Sequence, residues 1–359
     1  MSDSSRSRRG FLESLTPLGN KDVTPNRVAP TSGSTIHVAT RAMACEFSVI
    51  MNPGPHEHVA AVGDVLELVH EIESWLSIYN PNSEISRVNH DAATKPVHAR
   101  RTLFELLQTA KTLFDQTDGA FDIAAGAQIK LWKDCRAEKR IPTDDEIADV
   151  LLRSGTQHLS LDDNATTVRF GVKGLQLDPG GIGKGFALDE ATAWLKKTEE
   201  CPHEFLVHGG HSSLVACGGN NGHPGWPVGI GNPLFTKKRL GTVLLCDQAM
   251  STSGSNIQFF RHAGQRYGHI LDPRTAMPVD GMLSVTVFAD SAAIADALST
   301  AFFVLGVENA RKCCDNLPGV GAILIPFPTK GNRVSPTVVG VPADRIFWDD
   351  QQVNVNALN

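Results

Sequence analysis

Between Glu204 and Asp290 the chain shows short strand-like segments one after another. They are rich in β-branched and apolar residues and read EFLVHGGHSSLVACG, WPVGIGN, LGTVLLCD, QRYGHILD and LSVTVFAD. Strands that follow one another directly pair antiparallel, whereas parallel strands need a longer, usually helical, crossover. We therefore expect an α+β protein with mixed, largely antiparallel sheets packed against helices.

Segments with helical spacing of apolar residues lie on both sides of this run. They are predicted at 58–79, 100–117, around TDDEIADVLLRS with Thr143 as N-cap, and in FALDEATAWLKK, SAAIADALSTAFFVLG and VENARKCCDNL. Residues 158–178 are predicted as three short strands, HLSLD, TTVRF and LQLD. We expect one domain over 35–327, a disordered polar tail over 1–34 and an irregular C-terminal tail over 328–359.

Composition excludes several functions. The chain has 33 Lys+Arg against 39 Asp+Glu and no long basic stripe, so we expect no nucleic-acid partner. Seven cysteines, an odd number without C-x-x-C spacing, favour reduced thiols over disulfides or a zinc site. The sequence holds no run of about 18 apolar residues, so we expect no membrane span.

The N-terminus contains one targeting-like feature. Ser7–Leu12, SRRGFL, resembles the start of a twin-arginine export signal. That signal continues with an apolar stretch of about 7 to 15 residues, whereas ESLTPLGNKDVTPNRVAP follows here. We expect a cytoplasmic protein, with export through a degenerate signal as the alternative.

The glycine-rich stretch Leu177–Ala191, LDPGGIGKGFALDEA, leads from a predicted strand into a predicted helix. It matches neither the P-loop spacing nor the dinucleotide-binding G-x-G-x-x-G. Glycines permit close backbone approach, a helix start attracts anions, and Lys184 adds a positive charge. The stretch is either an anion site or an ordinary turn.

Two further groups of residues carry possible chemistry. Asp296 and Thr300 lie four residues apart on an apolar helix and therefore share one face. Their oxygens suit Mg²⁺, although Asp296 near the helix start and Thr300 bonded to a carbonyl would need no metal. His269 precedes the turn-forming Asp272–Pro273 at a strand end, where catalytic groups are often found.

These segments, in this order, resemble the motifs of the ApbE family, the FAD:protein FMN transferases. The likeness rests on LDPGGIGKGFALD, YGHILDPRT and ADALSTAFFVLG, with WLSIYNPNSEISRVN and GAFDI in the N-terminal half, and spans residues 36–325. The resemblance implies an ApbE-like, T-fold-related architecture. It also implies Mg²⁺-dependent transfer of FMN from FAD to a Thr or Ser of a target protein, with release of AMP.

The resemblance also assigns residues. It implies that Asp296 and Thr300 bind Mg²⁺ together with the carbonyl of Gly181, and that His269 is the catalytic base, with Asp178 as a competitor for that role. The positions implied to contact the flavin nucleotide are Met43, Tyr79, Ala120, Phe121, Asp122, Asp178, Lys184 and Leu271. The implied acceptor belongs to a membrane redox complex.

Two other functions stay open at this point. Water could replace the acceptor hydroxyl, which would make the chain an FAD pyrophosphatase, or the chain could bind FAD without turning it over. The sequence also departs from the family pattern. Met43-Ala44-Cys45 replaces Met-Gly-Thr, Ala276 stands where glycine is usual, and His208 and His211 fall near the expected pocket.

Overall fold

The computed structural model describes residues 28–235, 237–255, 259–349 and 356–357. The twin-arginine-like segment Ser7–Leu12 and most of the predicted polar tail lie outside the described residues. The end of that tail is held in place, since Gly33 N–H donates to Asn220 Oδ1 over 3.2 Å.

Seven helices are described. They are α1 Glu57–Leu76, α2 Glu84–Asp91, α3 Arg101–Gln116, α4 Gly126–Ala137, α5 Asp144–Leu152, α6 Gly183–Lys197 and α7 Ala292–Asp315. Thr143 caps α5 in a full capping box with Glu146, which confirms the predicted helix start. The two helices predicted at the end of the chain are joined as α7, which bends at Gly306 where φ is 70°.

The strands form one large sheet and several small ones. In chain order they are β1 Ile36–Ala42, β2 Cys45–Met51, β3 Val97–His98, β4 Leu159–Asp162, β5 Thr167–Phe170, β6 Phe205–Gly209, β7 Ser213–Cys217, β8 Trp226–Gly231, β9 Arg239–Leu245, β10 Gln248–Gly254, β11 Phe259–His262, β12 Gln265–Gly268, β13 Leu271–Asp272, β14 Met277–Pro278, β15 Met282–Ala289, β16 Gly321–Pro326, β17 Thr337–Val339, β18 Ile346–Trp348 and β19 Asn356–Ala357. The large sheet has the order β1-β2-β6-β7-β10-β15-β16-β17-β19, and only its last pair is parallel.

The large sheet is covered on both faces. Helices α1, α6 and α7 pack on one face, and the small sheet β18-β9-β8 packs on the other, so two hydrophobic cores form. Central strand β15 shows the consequence, because Val285 and Val287 join the helical core while Leu283 and Phe288 join the other. The α+β class with largely antiparallel sheets is therefore confirmed.

Two predicted segments differ from the structure. LQLD at 175–178 is not a strand, because its backbone bonds elsewhere: Leu177 N–H donates to Asn89 Oδ1 over 2.7 Å and Asp178 N–H to Ile123 O over 2.8 Å. The region 328–359, predicted to be irregular, contributes β17, β18 and β19. Strands of two or three residues carry too little periodicity to be recognised in sequence.

Among the described helices, α7 alone is long and apolar enough to cross a membrane. Most of it is buried inside the protein, against β10, β15 and α6. Its burial is that of a central core helix.

The β1–β2 hairpin turn gives a stability prediction. Met43 and Ala44 form the two-residue turn at φ values of 49° and 60°, the backbone of a type I′ turn that favours glycine. Replacing exposed Ala44→Gly removes left-handed strain and should raise the free energy of unfolding by about 0.5–1 kcal/mol, measured by urea denaturation. The control Ala60→Gly, exposed in α1, should lower it by about 1 kcal/mol. A lower stability of Ala44→Gly would contradict the turn geometry.

Candidate active site

The carboxylate of Asp296 lies at the crossing of α7 with α6 and is only 5% exposed. Its Oδ1 accepts hydrogen bonds from Ser213 Oγ over 3.1 Å and Ser251 Oγ over 3.0 Å. Its Oδ2 accepts one from Gly185 N–H over 3.2 Å and lies 3.6 Å from Lys184 Nζ. A buried carboxylate needs such partners, so the site is anchored to three elements.

The match between helix and strand spacing places these groups together. Asp296 and Thr300 are one turn apart on α7, and Ser251 and Ser253 are two residues apart on β10, so both pairs are separated by roughly 6–7 Å. Ser251 faces Asp296, and Ser253 Oγ lies 3.3 Å from Thr300 Oγ1. The predicted shared face of Asp296 and Thr300 therefore looks onto the hydroxyls of β10.

The glycine-rich turn lies beside this helix face. A 3-10 helix, Pro179–Gly181, runs into α6, and a methyl group built on Gly181 would lie 3.7 Å from Thr300 Oγ1 and 3.4 Å from Phe121 Cε2. One built on Gly185 would lie 2.1 Å from the Ala292 carbonyl oxygen. The first glycine thus leaves space next to Thr300, whereas the second permits α6 and α7 to touch.

Several backbone N–H groups of this turn and of the start of α6 already donate hydrogen bonds to acceptors within the protein. Gly180 N–H donates to Asp178 Oδ1 over 2.8 Å, and Ile182 N–H donates to the carbonyl of Pro179 over 3.0 Å. Gly185 N–H is committed to Asp296. Positive charge for an anion therefore comes mainly from the side chain of Lys184, which is 26% exposed.

Lys133, which the sequence analysis did not single out, contacts Asp178 and Tyr79, two residues predicted to bind the flavin nucleotide. Lys133 on α4 lies with its Nζ 4.0 Å from Asp178 Oδ2 and donates to the hydroxyl of Tyr79 over 2.9 Å. Its ammonium also lies over the Tyr79 ring, 5.3 Å from the centroid. No motif in the sequence pointed to Lys133, because only tertiary packing places α4 beside Asp178.

Met43 lies near the same site. Its N–H donates to Glu73 Oε1 over 2.8 Å, which ties the turn to α1. The half-buried thiol of Cys45 is within electrostatic reach of Lys184 and Asp296, and burial raises the pKa of Cys45. Cys45, one of the two atypical residues of Met43-Ala44-Cys45, is therefore part of the site's surroundings.

The run Ala120-Phe121-Asp122 divides between two roles. Ala120 and Phe121 are buried, and Phe121 lines the space at Gly181. The carboxylate of Asp122 instead accepts from Thr156 Oγ1 over 2.6 Å and from Ala124 N–H over 2.7 Å, while burial raises its pKa. These contacts hold the loop that carries Phe121.

His269 is exposed in the bend after β12, and Leu271 is buried in β13. The turn that follows is fixed on α4, because Trp132 Nε1–H donates to the carbonyl of Ala276 over 2.7 Å. Ala276 takes φ 55°, so alanine keeps the left-handed backbone that glycine would adopt more easily.

His208 and His211, which the sequence placed near the expected pocket, differ in burial. His208 is half-buried on β6, and burial, with smaller contributions from His37 and His211, lowers its pKa to about 4. It is therefore neutral at pH 7. His211 is exposed.

A cavity of about 570 Å³ lies between the end of α3 and the turn after β13. Its lining includes Asp118, Gly119, Asp122, Pro273 and Arg274. The described lining does not include Asp296 or Thr300. We therefore centre the candidate active site on the buried carboxylate and not on this cavity.

The residues around Asp296 fit a hard cation. Among the described residues no group of three or more His, Cys, Asp or Glu side chains could hold a metal, so a site of thiolates or imidazoles is not formed. One carboxylate, the hydroxyl of Thr300 and backbone near Gly181 are oxygen donors of the kind that Mg²⁺ accepts, with room left by the missing methyl.

Comparison with solved structures defines the class of protein. The ApbE protein of Thermotoga maritima superposes with a TM-score of 0.75 at 27% identity, and the match covers 84% of this chain and 97% of that one. The fold thus places the chain among the ApbE-type proteins, a group of transferases by the names of its curated relatives.

Sequence comparison identifies the family. The sequence model of the ApbE family matches residues 33–324. The FAD:protein FMN transferase of Treponema pallidum is 32% identical over 317 residues, which is 82% of this chain and 84% of the relative. That of Klebsiella pneumoniae is 30% identical over 269 residues, 74% of this chain and 82% of the relative. The chain belongs to the ApbE family, as the motifs predicted.

Gly181 of the turn and Gly185 of α6 should respond differently to substitution. Gly181→Ala places a methyl group at ordinary contact distance from Thr300 and should leave the free energy of unfolding unchanged or up to about 1 kcal/mol higher. Gly185→Ala drives a methyl group into the Ala292 carbonyl and should cost about 2–3 kcal/mol. Urea denaturation of both variants tests this; equal effects would show that α6 and α7 do not touch at Gly185.

Proposed function

We propose that this protein transfers FMN from FAD to the hydroxyl of a Thr or Ser in an acceptor protein and releases AMP. Support comes from membership of a family whose matching relatives are named FAD:protein FMN transferase. The observation that carries the proposal is the cluster of Asp296, Thr300 and Gly181 beside Lys184. It combines an oxygen-rich metal position with a cation for phosphate.

The reaction breaks one bond and forms one. The acceptor oxygen attacks the phosphorus of the FMN half of FAD, a phosphoester forms, and the pyrophosphate bond to AMP breaks. The acceptor hydroxyl loses its proton, and AMP leaves with the bridging oxygen. Transfer of this kind depends mostly on positioning and on neutralising phosphate charge.

Asp296, Thr300 and the carbonyl of Gly181 would hold Mg²⁺ in this proposal. The ion would supply positive charge to the pyrophosphate and so favour departure of AMP. The chain's own part is to hold the Asp296 carboxylate in place, which its four polar neighbours do.

Lys184 is proposed to bind the pyrophosphate. Its ammonium is partly exposed and lies next to Asp296, so it can leave that contact for a phosphate oxygen while the carboxylate keeps its other donors. The rest of the flavin nucleotide is proposed to contact Met43, Tyr79, Ala120, Phe121, Asp122, Asp178 and Leu271. Lys133 joins this set through its contacts with Asp178 and Tyr79.

His269 is proposed as the base that accepts the acceptor proton. It is exposed, and a hydroxyl carried by another protein has to reach its base from solvent. Imidazole also titrates near neutral pH, as a general base requires. The alternative, Asp178, is largely buried and already accepts from Gly180 N–H, so it is better suited to orient the nucleotide.

The acceptor and the place of action are further proposals. The acceptor is taken to be a protein with an accessible Thr or Ser, such as a subunit of a membrane redox complex. A cytoplasmic location is proposed, with export through the Ser7–Leu12 segment as the alternative.

A transfer assay separates the three candidate functions. Purified protein, FAD and Mg²⁺ are incubated with or without a threonine-containing acceptor protein, and AMP and covalently bound flavin are measured. We expect AMP and bound flavin only with acceptor. AMP without acceptor would indicate a pyrophosphatase, and FAD binding without AMP in either arm would indicate a binding protein.

Asp296→Ala and addition of a chelator should both abolish transfer. Asp290→Ala, an exposed acid near the start of α7, serves as the control and should keep transfer.

The role of His269 is tested separately. His269→Ala should lower the rate of transfer well over tenfold with FAD affinity retained, since a general base contributes about 10²–10⁴-fold. His262→Ala on the neighbouring strand β11, where His262 bonds to the carbonyl of Lys139, is the matched control. An unchanged rate in His269→Ala, together with loss in Asp178→Asn, would assign the proton to Asp178.

A further inference from the structure

The two oxygens of the Asp296 carboxylate have unequal surroundings. A carboxylate oxygen has two lone-pair positions, and Oδ1 accepts from both Ser213 and Ser251. Within the described residues, Gly185 N–H is the one donor within hydrogen-bond distance of Oδ2, and Lys184 Nζ stands farther away at 3.6 Å. One oxygen is therefore saturated by the protein, and the other has a lone pair available.

The two serines are held rigidly. Ser213 on β7 and Ser251 on β10 are directly opposite each other in the antiparallel register, and their exposed fractions are 1% and 0%. Their hydroxyl oxygens are 3.0 Å apart. Each hydroxyl has one proton, and a bond to a carboxylate is stronger than one to a neutral hydroxyl, so both protons point at Oδ1.

We propose that Ser213 and Ser251 are specificity-determining residues that restrict Asp296 to one-oxygen coordination and thereby favour Mg²⁺ over Ca²⁺. The inference rests on the proposed function, in which Asp296 is a metal ligand. A cation bound by both oxygens would have to displace a serine from Oδ1. Oδ2, which lies toward Lys184, is the oxygen with a lone pair that a cation could bind.

The chemistry of the two ions turns this restriction into selectivity. Ca²⁺ takes six to eight oxygens and is often held by a carboxylate through both oxygens, whereas Mg²⁺ keeps an octahedral shell and uses carboxylates through one. Thr300 adds a single hydroxyl oxygen from the next helical turn. A site with one available carboxylate oxygen therefore suits the smaller ion and gives the larger one too few ligands.

The variants Ser213→Ala, Ser251→Ala and the double variant test the proposal. Each substitution frees a lone pair on Oδ1. The control is Thr252→Ala, since Thr252 follows Ser251 on β10 but its hydroxyl contacts Thr286 Oγ1, 2.9 Å away, and not Asp296. Calorimetric titration of the full chain, saturated with FAD and without acceptor, gives the dissociation constants of Mg²⁺ and Ca²⁺.

We expect the parent protein and Thr252→Ala to prefer Mg²⁺. The ratio of Ca²⁺ to Mg²⁺ dissociation constants should fall about tenfold or more in the double variant, the usual size of an outer-sphere effect on metal affinity. The single variants should show smaller shifts in the same direction, and they decide the matter if thermal unfolding shows that the double variant does not fold.

Two results would overturn the proposal in different ways. If the parent protein binds Mg²⁺ and the folded serine variants keep its ion preference, the serines do not set selectivity, while the proposed transfer reaction stands. If the parent protein binds neither ion in the presence of FAD, the metal part of the proposed function fails as well.

Discussion

The position of one buried carboxylate determines the architecture around the site. Removing the partners of a buried charge typically costs about 3–5 kcal/mol, so Asp296 requires β7, β10 and α6 to meet α7 at one point. It does so through Ser213, Ser251 and the amide of Gly185. The same contacts that satisfy the carboxylate hold α7 against the large sheet with Thr300 beside the glycine-rich turn.

A second, half-buried acid holds the start of α7. Asp189 on α6 accepts from Ser291 Oγ over 2.6 Å, Ala292 N–H over 2.7 Å and Ala293 N–H over 2.9 Å. It therefore caps the start of α7 from a neighbouring helix, and burial raises its pKa. With α7 held at its start by Asp189 and one turn further on by Asp296, the two helices have little freedom to slide. Gly185 allows the close approach that both bonds need.

The sequence was most informative where local pattern and local structure coincide. The runs of strands predicted the antiparallel sheet, Thr143 predicted the start of α5, and the ordered motifs predicted the family. It was least informative where a partner is distant in the chain. LQLD reads as a strand, yet its backbone groups bond to Asn89 and Ile123 from other elements. Lys133 and the two serines around Asp296 gave no signal at all, because their neighbours come from other parts of the chain.

The sequence by itself determined which chemical groups are present and how they are spaced along each element: Asp296 and Thr300 on one helix face, and glycines in a turn before α6. Helical and strand periodicities are local properties, and the sequence contains them completely. Only the tertiary structure decided which oxygen of Asp296 is saturated and which has a lone pair available. That depends on the register of β7 with β10 and on the crossing of α6 with α7, which long-range packing fixes and no local pattern encodes.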